Sequence, residues 1–243
     1  MTKDDKSAIY EILKTASSAL KGYVPDDFSG PAPSFTDDIP VSLESGTAPA
    51  SGTEGHATIE SVAQKIAACH RCGLCKTRTN TVPGMGVENP AVLVIGEGPG
   101  HDEDLQGKPF VGPAGQLLDK MLSAINLDRN RNCYIANIVK CRPPQNRDPL
   151  PEEADACSSF LKAQIHILKP KMILAMGRIA LQNLYDPQAK ITQLHGQILD
   201  YNGIPLMATY HPSALLRNSD LKRPAWEDLK GFRIKLLELC PGY

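Results

Sequence analysis

The stretch AVLVIGEGPG, residues 91–100, passes from a run of small and branched apolar residues into a glycine-rich turn that holds one acid. A short apolar run that stops at glycine reads as a strand buried on both faces and leading into a helix. The following segment GPAGQLLDKMLSAIN places Leu117, Leu118, Met121 and Leu122 on one helical face. Further out, the alternation continues. CYIANIV (133–139), KMILAMG (171–177) and IPLMATY (204–210) read as three more strands. LPEEADACSSFLKAQIHIL reads as a helix with proline and acids at its N-terminus, RIALQNLY as a shorter one, and residues 226–239 as the last. ITQLHGQILDYNGIPLMATY reads as a hairpin turning at Asn202-Gly203. The pattern predicts an α/β fold, a three-layer αβα arrangement with a central, mainly parallel four-stranded sheet. Ligands of such sheets bind beyond the carboxyl ends of the strands. Three polar segments fall there: GEGPG after the first strand, Asn137 with KCRPPQNR after the second, and HPSALLR (211–217) after the last.

The chain divides in composition before this pattern begins. Residues 1–58 hold 4 Lys/Arg against 9 Asp/Glu and are rich in Pro, Gly, Ser and Thr, whereas residues 59–243 hold 22 against 18. The first block cannot bury enough apolar surface to offset its ordering entropy, so it reads as a disordered acidic tail on a domain of residues 59–243. Within it, Ile9, Ile12, Leu13 and Leu20 share a helical face. That segment is either a docking helix for a protein partner or a transient helix on a tether. No secretory leader is recognisable and no apolar run approaches the length of a membrane span, which predicts a cytoplasmic protein with no membrane partner.

Three of the seven cysteines crowd into CHRCGLCKTR (69–78). In a reducing compartment such spacing points to a metal or iron–sulfur site, or to redox chemistry, rather than to disulfides. Spacing alone admits a four-thiolate zinc site as readily as a cluster.

Each rim motif is weak alone. GEGPG breaks the dinucleotide fingerprint, because His101 stands where the third glycine belongs and Pro99 sits inside the turn. Phe110 in GKPFVGPAG reads either as an exposed ring for stacking on a planar ligand or as a core anchor for its loop. His211 at a strand end, followed by Pro212 and Ser213, reads as a catalytic candidate or a structural histidine.

Taken in order, GEGPG, GKPFVG, ANIVKCRPPQNR and HPSALLRN resemble the uracil-DNA glycosylase superfamily, specifically its iron–sulfur branch, family 4, over about residues 66–239. The resemblance implies a [4Fe–4S] cluster on Cys69, Cys72, Cys141 and Cys157, with Cys75, Cys133 and Cys240 as ordinary thiols. It implies that Asn137 reads the uracil edge, Phe110 stacks on the ring, and His211 donates to O2. Glu97, with the backbone of Gly98, would position the attacking water, a buried structural carboxylate being the alternative for Glu97. Leu215 would be the wedge that fills the gap left by the flipped base. Arg142, Arg147, Ser213 and Arg217 would touch phosphates of uracil-containing DNA. A related branch that bonds covalently to uracil carries a basic insertion after the second strand, which this chain lacks, so turnover is expected. The expected enzyme is a monomeric, monofunctional glycosylase that leaves an abasic site. The competing expectation is an iron–sulfur module that binds uracil in DNA without releasing it.

Overall fold

The computed structural model describes residues 58–243. The expectations of a disordered tail, a helix within it and a protein partner for it fall on residues 1–57, outside the described residues. The sheet contains six strands in the order β1-β3-β2-β4-β6-β5: β1 Met85–Gly86, β2 Val92–Gly96, β3 Cys133–Asn137, β4 Met172–Met176, β5 Ile198–Tyr201 and β6 Ile204–Thr209. The four strands read from the sequence are β2, β3, β4 and β6, and they are mutually parallel. The expectation of four strands is corrected by two antiparallel edges. β5 is the arm of the expected hairpin; Asn202 and Gly203 both take positive φ, +50° and +86°, as a type I′ turn requires. β1 has only two residues, too few to show alternation. It lies so close to β3 that a Cβ on Gly86 would come within 2.3 Å of the Cys133 carbonyl oxygen.

Strand parity sorts the core into two layers. Leu93, Ile95, Tyr134, Ala136, Ile173 and Ala175 face one way, against α1 (Ile59–Ala67), α4 (Pro151–Leu168) and α5 (Arg178–Leu184). Val92, Val94, Ile135, Met172 and Leu174 face the other, against Leu118 and Leu122 of α3 (Pro113–Ser123) and Phe232 of α8 (Lys222–Leu239). Because both faces are covered, the central strands carry no polar alternation. Among the described residues, no helix is long and apolar enough to cross a membrane. Three short helices complete the rim and edge: α2 (His101–Gln106), α6 (Ile191–Leu194) and α7 (Pro212–Arg217).

Candidate active site

At the carboxyl ends of the parallel strands lies a cavity of about 370 Å³, and it gathers Glu97, Gly98, Phe110, Asn137, His211 and Ser213 from four separate segments. Asn137 is the last residue of β3 and sits opposite Gly96 of β2. It is 1 % exposed, and its Oδ1 is the one buried side-chain acceptor among the described residues that has no hydrogen-bond donor. A buried carbonyl-type oxygen without a donor is costly, so this atom marks where a ligand N–H belongs. Glycine at 96 is required here, because a Cβ would stand 2.5 Å from that oxygen and 2.6 Å from the Phe110 ring.

Phe110 is not the exposed ring that stacking first suggested. It is 6 % exposed, belongs to the core beneath α3, and still lines the cavity, its ring centre 5.5 Å from that of His211. Phe110 is thus a core anchor whose ring still borders the cavity. Its backbone adopts φ +53°, unusual for a bulky side chain. Two braces hold it there, and sequence reasoning missed both. Arg129, nearly buried, donates to the carbonyls of Pro109 and Phe110 at 2.9 and 3.0 Å and pairs with Asp119. Glu103 accepts from the backbone N–H groups of Val111 and Gly112 with one oxygen and of Gly100 with the other. One carboxylate thus ties the GEGPG turn to the Phe110 loop. The acid-rich first turn of α2 was its sequence signal; Arg129 had none.

His211 caps α7. Its Nδ1 accepts from the Ser213 backbone N–H at 3.2 Å and lies 2.8 Å from the Ser213 hydroxyl. An acceptor at Nδ1 leaves the proton on Nε2. Burial, aided by the positive Arg217, pushes the imidazole down to about 4, so it is neutral at physiological pH. Ser213 thus holds the His211 ring in place. Glu97 follows β2. Burial first, and then the negative Asp148, push its carboxyl up to about 7, against the opposing pull of Arg178 and Arg217.

The arginines differ from one another. Arg147 forms a two-pronged pair with Glu153 at 2.8 and 2.7 Å, and Glu153 also accepts from the Leu150 N–H. Arg147 thus braces its own loop rather than standing free for a phosphate. Arg142 donates to Asn146 Oδ1 and to His101 Nδ1 across the cavity mouth. Arg217 is exposed and has no ion-pair partner among the described residues. Leu215 is 3 % exposed and packs inward, whereas its neighbour Leu216 is 52 % exposed. A wedge must reach outward, so the structure does not bear out Leu215 in that role. A helix turns about 100° per residue, and the register selected from sequence fell on its inner face. A second hollow of about 250 Å³ lies beyond the Glu97–His211 wall and adds Arg178, missed from sequence, to the same rim.

The cysteines form a separate chamber. Cys69, Cys72, Cys141 and Cys157 line it with Cys75, Arg78 and Lys140. All are free thiols. Arg71 pins the 69–75 segment to α4, through Ser159 at 2.7 Å and over the Phe160 ring at 4.4 Å. Arg78 donates to Cys141 Sγ at 3.1 Å. Cys69 and Cys72 pack against the core group that holds Cys141 and Cys157; Cys75 is not in that group. Burial, and the mutual repulsion of neighbouring thiolates, push Cys141 up to about 11 and raise Cys157 as well. Thiols gathered in so dry a place need a cationic centre before they ionise together. The donor set therefore fits a thiolate-bound metal centre. Among the described residues, no three His, Cys, Asp or Glu side chains close on a single point, as ligands of one ion do.

Comparison with known proteins agrees with this geometry. The family model described as the uracil DNA glycosylase superfamily matches residues 83–230, a span that begins just before β1 and ends inside α8. The chain is 40 % identical over 191 residues to the type-4 uracil-DNA glycosylase of Archaeoglobus fulgidus, covering 75 % of this chain and 94 % of that protein. It is 43 % identical over 176 residues to the type-4 enzyme of Thermotoga maritima, covering 71 % and 91 %. A type-5 uracil-DNA glycosylase of Pyrobaculum aerophilum is 32 % identical over 57 % of the chain. With these matches spanning the sheet, the cavity and, in the type-4 relatives, most of the chain, the protein belongs to the uracil DNA glycosylase superfamily, in its type-4 branch.

Proposed function

We propose that the chain is a monofunctional uracil-DNA glycosylase. It accepts a uracil nucleotide rotated out of DNA and hydrolyses the bond between base and sugar, leaving an abasic site. The observation that carries this reading is the orphaned Asn137 Oδ1 in the cavity. Uracil offers N3–H beside the O4 acceptor, and one amide side chain satisfies both, accepting with Oδ1 and donating with Nδ2. Cytosine presents the opposite pattern, an acceptor at N3 and a donor at N4.

The remaining roles extend this reading to the other residues of the cavity. Phe110 packs against the face of the ring. As the bond between N1 and C1′ breaks, its electron pair leaves with the base, and charge grows on O2. Neutral His211 donates Nε2–H to that oxygen and keeps its own proton, which stabilises the anion without protonating it. Glu97, when ionised, holds a water against C1′ and takes its proton as the C–O bond forms. Leu216 replaces Leu215 as the apolar side chain that fills the vacated stack. Arg217 and Arg142 neutralise phosphates at the rim. Cys69, Cys72, Cys141 and Cys157 are the residues that would hold a [4Fe–4S] cluster, which when bound supplies a covalent pin between the domain's start, the RPPQNR loop and α4. The type-4 relatives and the four-cysteine set favour a cluster over a single zinc. The reading carries with it a cytoplasmic, monomeric enzyme with DNA as its partner.

The test is excision from oligonucleotides carrying U:G, U:A or unpaired uracil. Repeated turnover with release of free uracil is expected, whereas tight binding with no released base would replace the enzyme by a recognition module. In the same assay, Asn137→Asp should lose uracil excision, because a carboxylate cannot donate to O4. A parental rate for that variant would remove Asn137 as the reader.

A further inference from the structure

Lys140 is among the largest of the fully buried side chains of the described residues, at 1 % exposure. An ammonium taken out of water must find close partners, or the fold loses several kcal/mol. Nothing in the chemistry above uses this one. Its surroundings show where it is committed. Nζ donates to the Asn137 main-chain carbonyl at 2.8 Å and to Gln164 Oε1 at 2.7 Å. The Gln164 amide in turn donates to the Pro83 carbonyl at 2.7 Å, beside the edge strand β1. Lys140 also lines the cysteine chamber together with Cys141 and Cys157.

These contacts meet at one place in the fold. The parallel ladder ends with Asn137 opposite Gly96. Beyond it the chain leaves the sheet, and the Asn137 carbonyl is held by the lysine that follows three residues later. The plane of that peptide fixes where the Asn137 side chain starts, and so where Oδ1 and Nδ2 stand in the cavity. Resting on the reading of Asn137 as the base reader, we infer that Lys140 is a positioning residue. A single buried ammonium, steered by Gln164, holds the main-chain carbonyl of the reader, and because its side chain also lines the cysteine chamber, that chamber and the base-reading amide share one anchor. Lys140 never touches the substrate. Its loss frees the Asn137 peptide to tilt, and the amide no longer meets N3–H and O4 together.

The experiment uses the full chain with its metal and compares Lys140→Met, Asn137→Ala and the double variant. Free uracil is the probe for base reading, its binding measured directly by titration calorimetry so that variants without excision can be compared, and metal content and visible absorbance are followed alongside. A misplaced amide loses much of a buried hydrogen-bond pair, so Lys140→Met should weaken uracil binding roughly tenfold. If Lys140 acts through Asn137, the double variant should bind uracil no worse than Asn137→Ala alone, whereas an unrelated structural defect would add to it. Asn137→Ala at parental affinity would bring down the assignment of the reader itself. Loss in Asn137→Ala with parental affinity in a folded Lys140→Met would overturn only the role of Lys140. Should Lys140→Met be recovered unfolded, Gln164→Met decides, since it removes the acceptor that steers the ammonium. A threefold or greater weakening of uracil binding supports the anchor, and parental affinity overturns it.

Discussion

Glu97 and His211 sit in one cavity with their proton affinities pushed in the ways that burial dictates, the acid up to about 7 and the base down to about 4. His211 is thus a neutral donor across the whole working range, and Glu97 is the group that changes state near neutrality. Excision should rise as pH climbs through about 7 and should not fall again from His211 until far into acid; single-turnover rates between pH 5 and 9 measure this. The same shift sets a stability cost. Between 4.5 and about 7 the folded chain keeps a proton on Glu97 that the unfolded chain has released. Stability therefore falls as pH rises through that window, and the cost is complete above it. Glu97→Gln should lose excision yet melt a few degrees higher at pH 8, with no gain at pH 4; thermal denaturation at the two values decides it. An unchanged melting temperature at pH 8 would mean that Glu97 is not held up by its surroundings.

Within α7, adjacent leucines have been given opposite duties. Leu215 closes the core and Leu216 faces outward, beside the exposed Arg217. Truncating a buried leucine costs about 2–5 kcal/mol, because the neighbours do not fully collapse into the space. Leu215→Ala should therefore lower the melting temperature by several degrees and reduce excision from every substrate through loss of folded protein. Leu216→Ala should leave melting unchanged and lower excision from duplex DNA far more than from single strands, where no stacked gap has to be filled. Duplex-to-single-strand rate ratios for the two variants give the answer. Equal ratios would remove Leu216 as the wedge. The sequence placed the segment HPSALLR after β6 but did not mark it as helical, and so short a helix carries too few turns to show which leucine faces in.

Across the whole domain, the cysteine chamber joins the segment after α1, the segment after β3 and the middle of α4, pieces far apart in the chain. Removing a ligand should thus act on the molecule, not on one loop. Cys69→Ala, Cys72→Ala, Cys141→Ala and Cys157→Ala should each lose the broad absorbance near 400 nm and much of the soluble yield, while Cys75→Ala keeps both; iron analysis and visible spectra test it. A colourless parent with one zinc would overturn the cluster. The central strands were legible because burial on both faces writes itself as an unbroken apolar run, as in VLVIG and MILAM. Asn137 and His211 were legible as polar side chains at strand ends, and the resemblance supplied the roles that position alone left open. The braces were not legible. Arg129 reaches Phe110 across 19 residues and Lys140 reaches Gln164 across 24, and no local period records a partner at that distance. β1 is two residues long and exists only through the approach that Gly86 permits.

The sheet order has a consequence for how such a site changes over time. Asn137 ends β3, Glu97 follows β2 and His211 follows β6, so the spacing of the three is set by a hydrogen-bonded ladder of about 4.8 Å per strand. The ladder works as a ruler cut into the peptide, and the side chains are only the marks upon it. Replacing one mark can alter which base is read while the gauge stays true. Deleting one residue inside Cys133–Asn137 does the reverse: every mark on that strand turns to the opposite face, and the reader is carried into a core where no base can reach it.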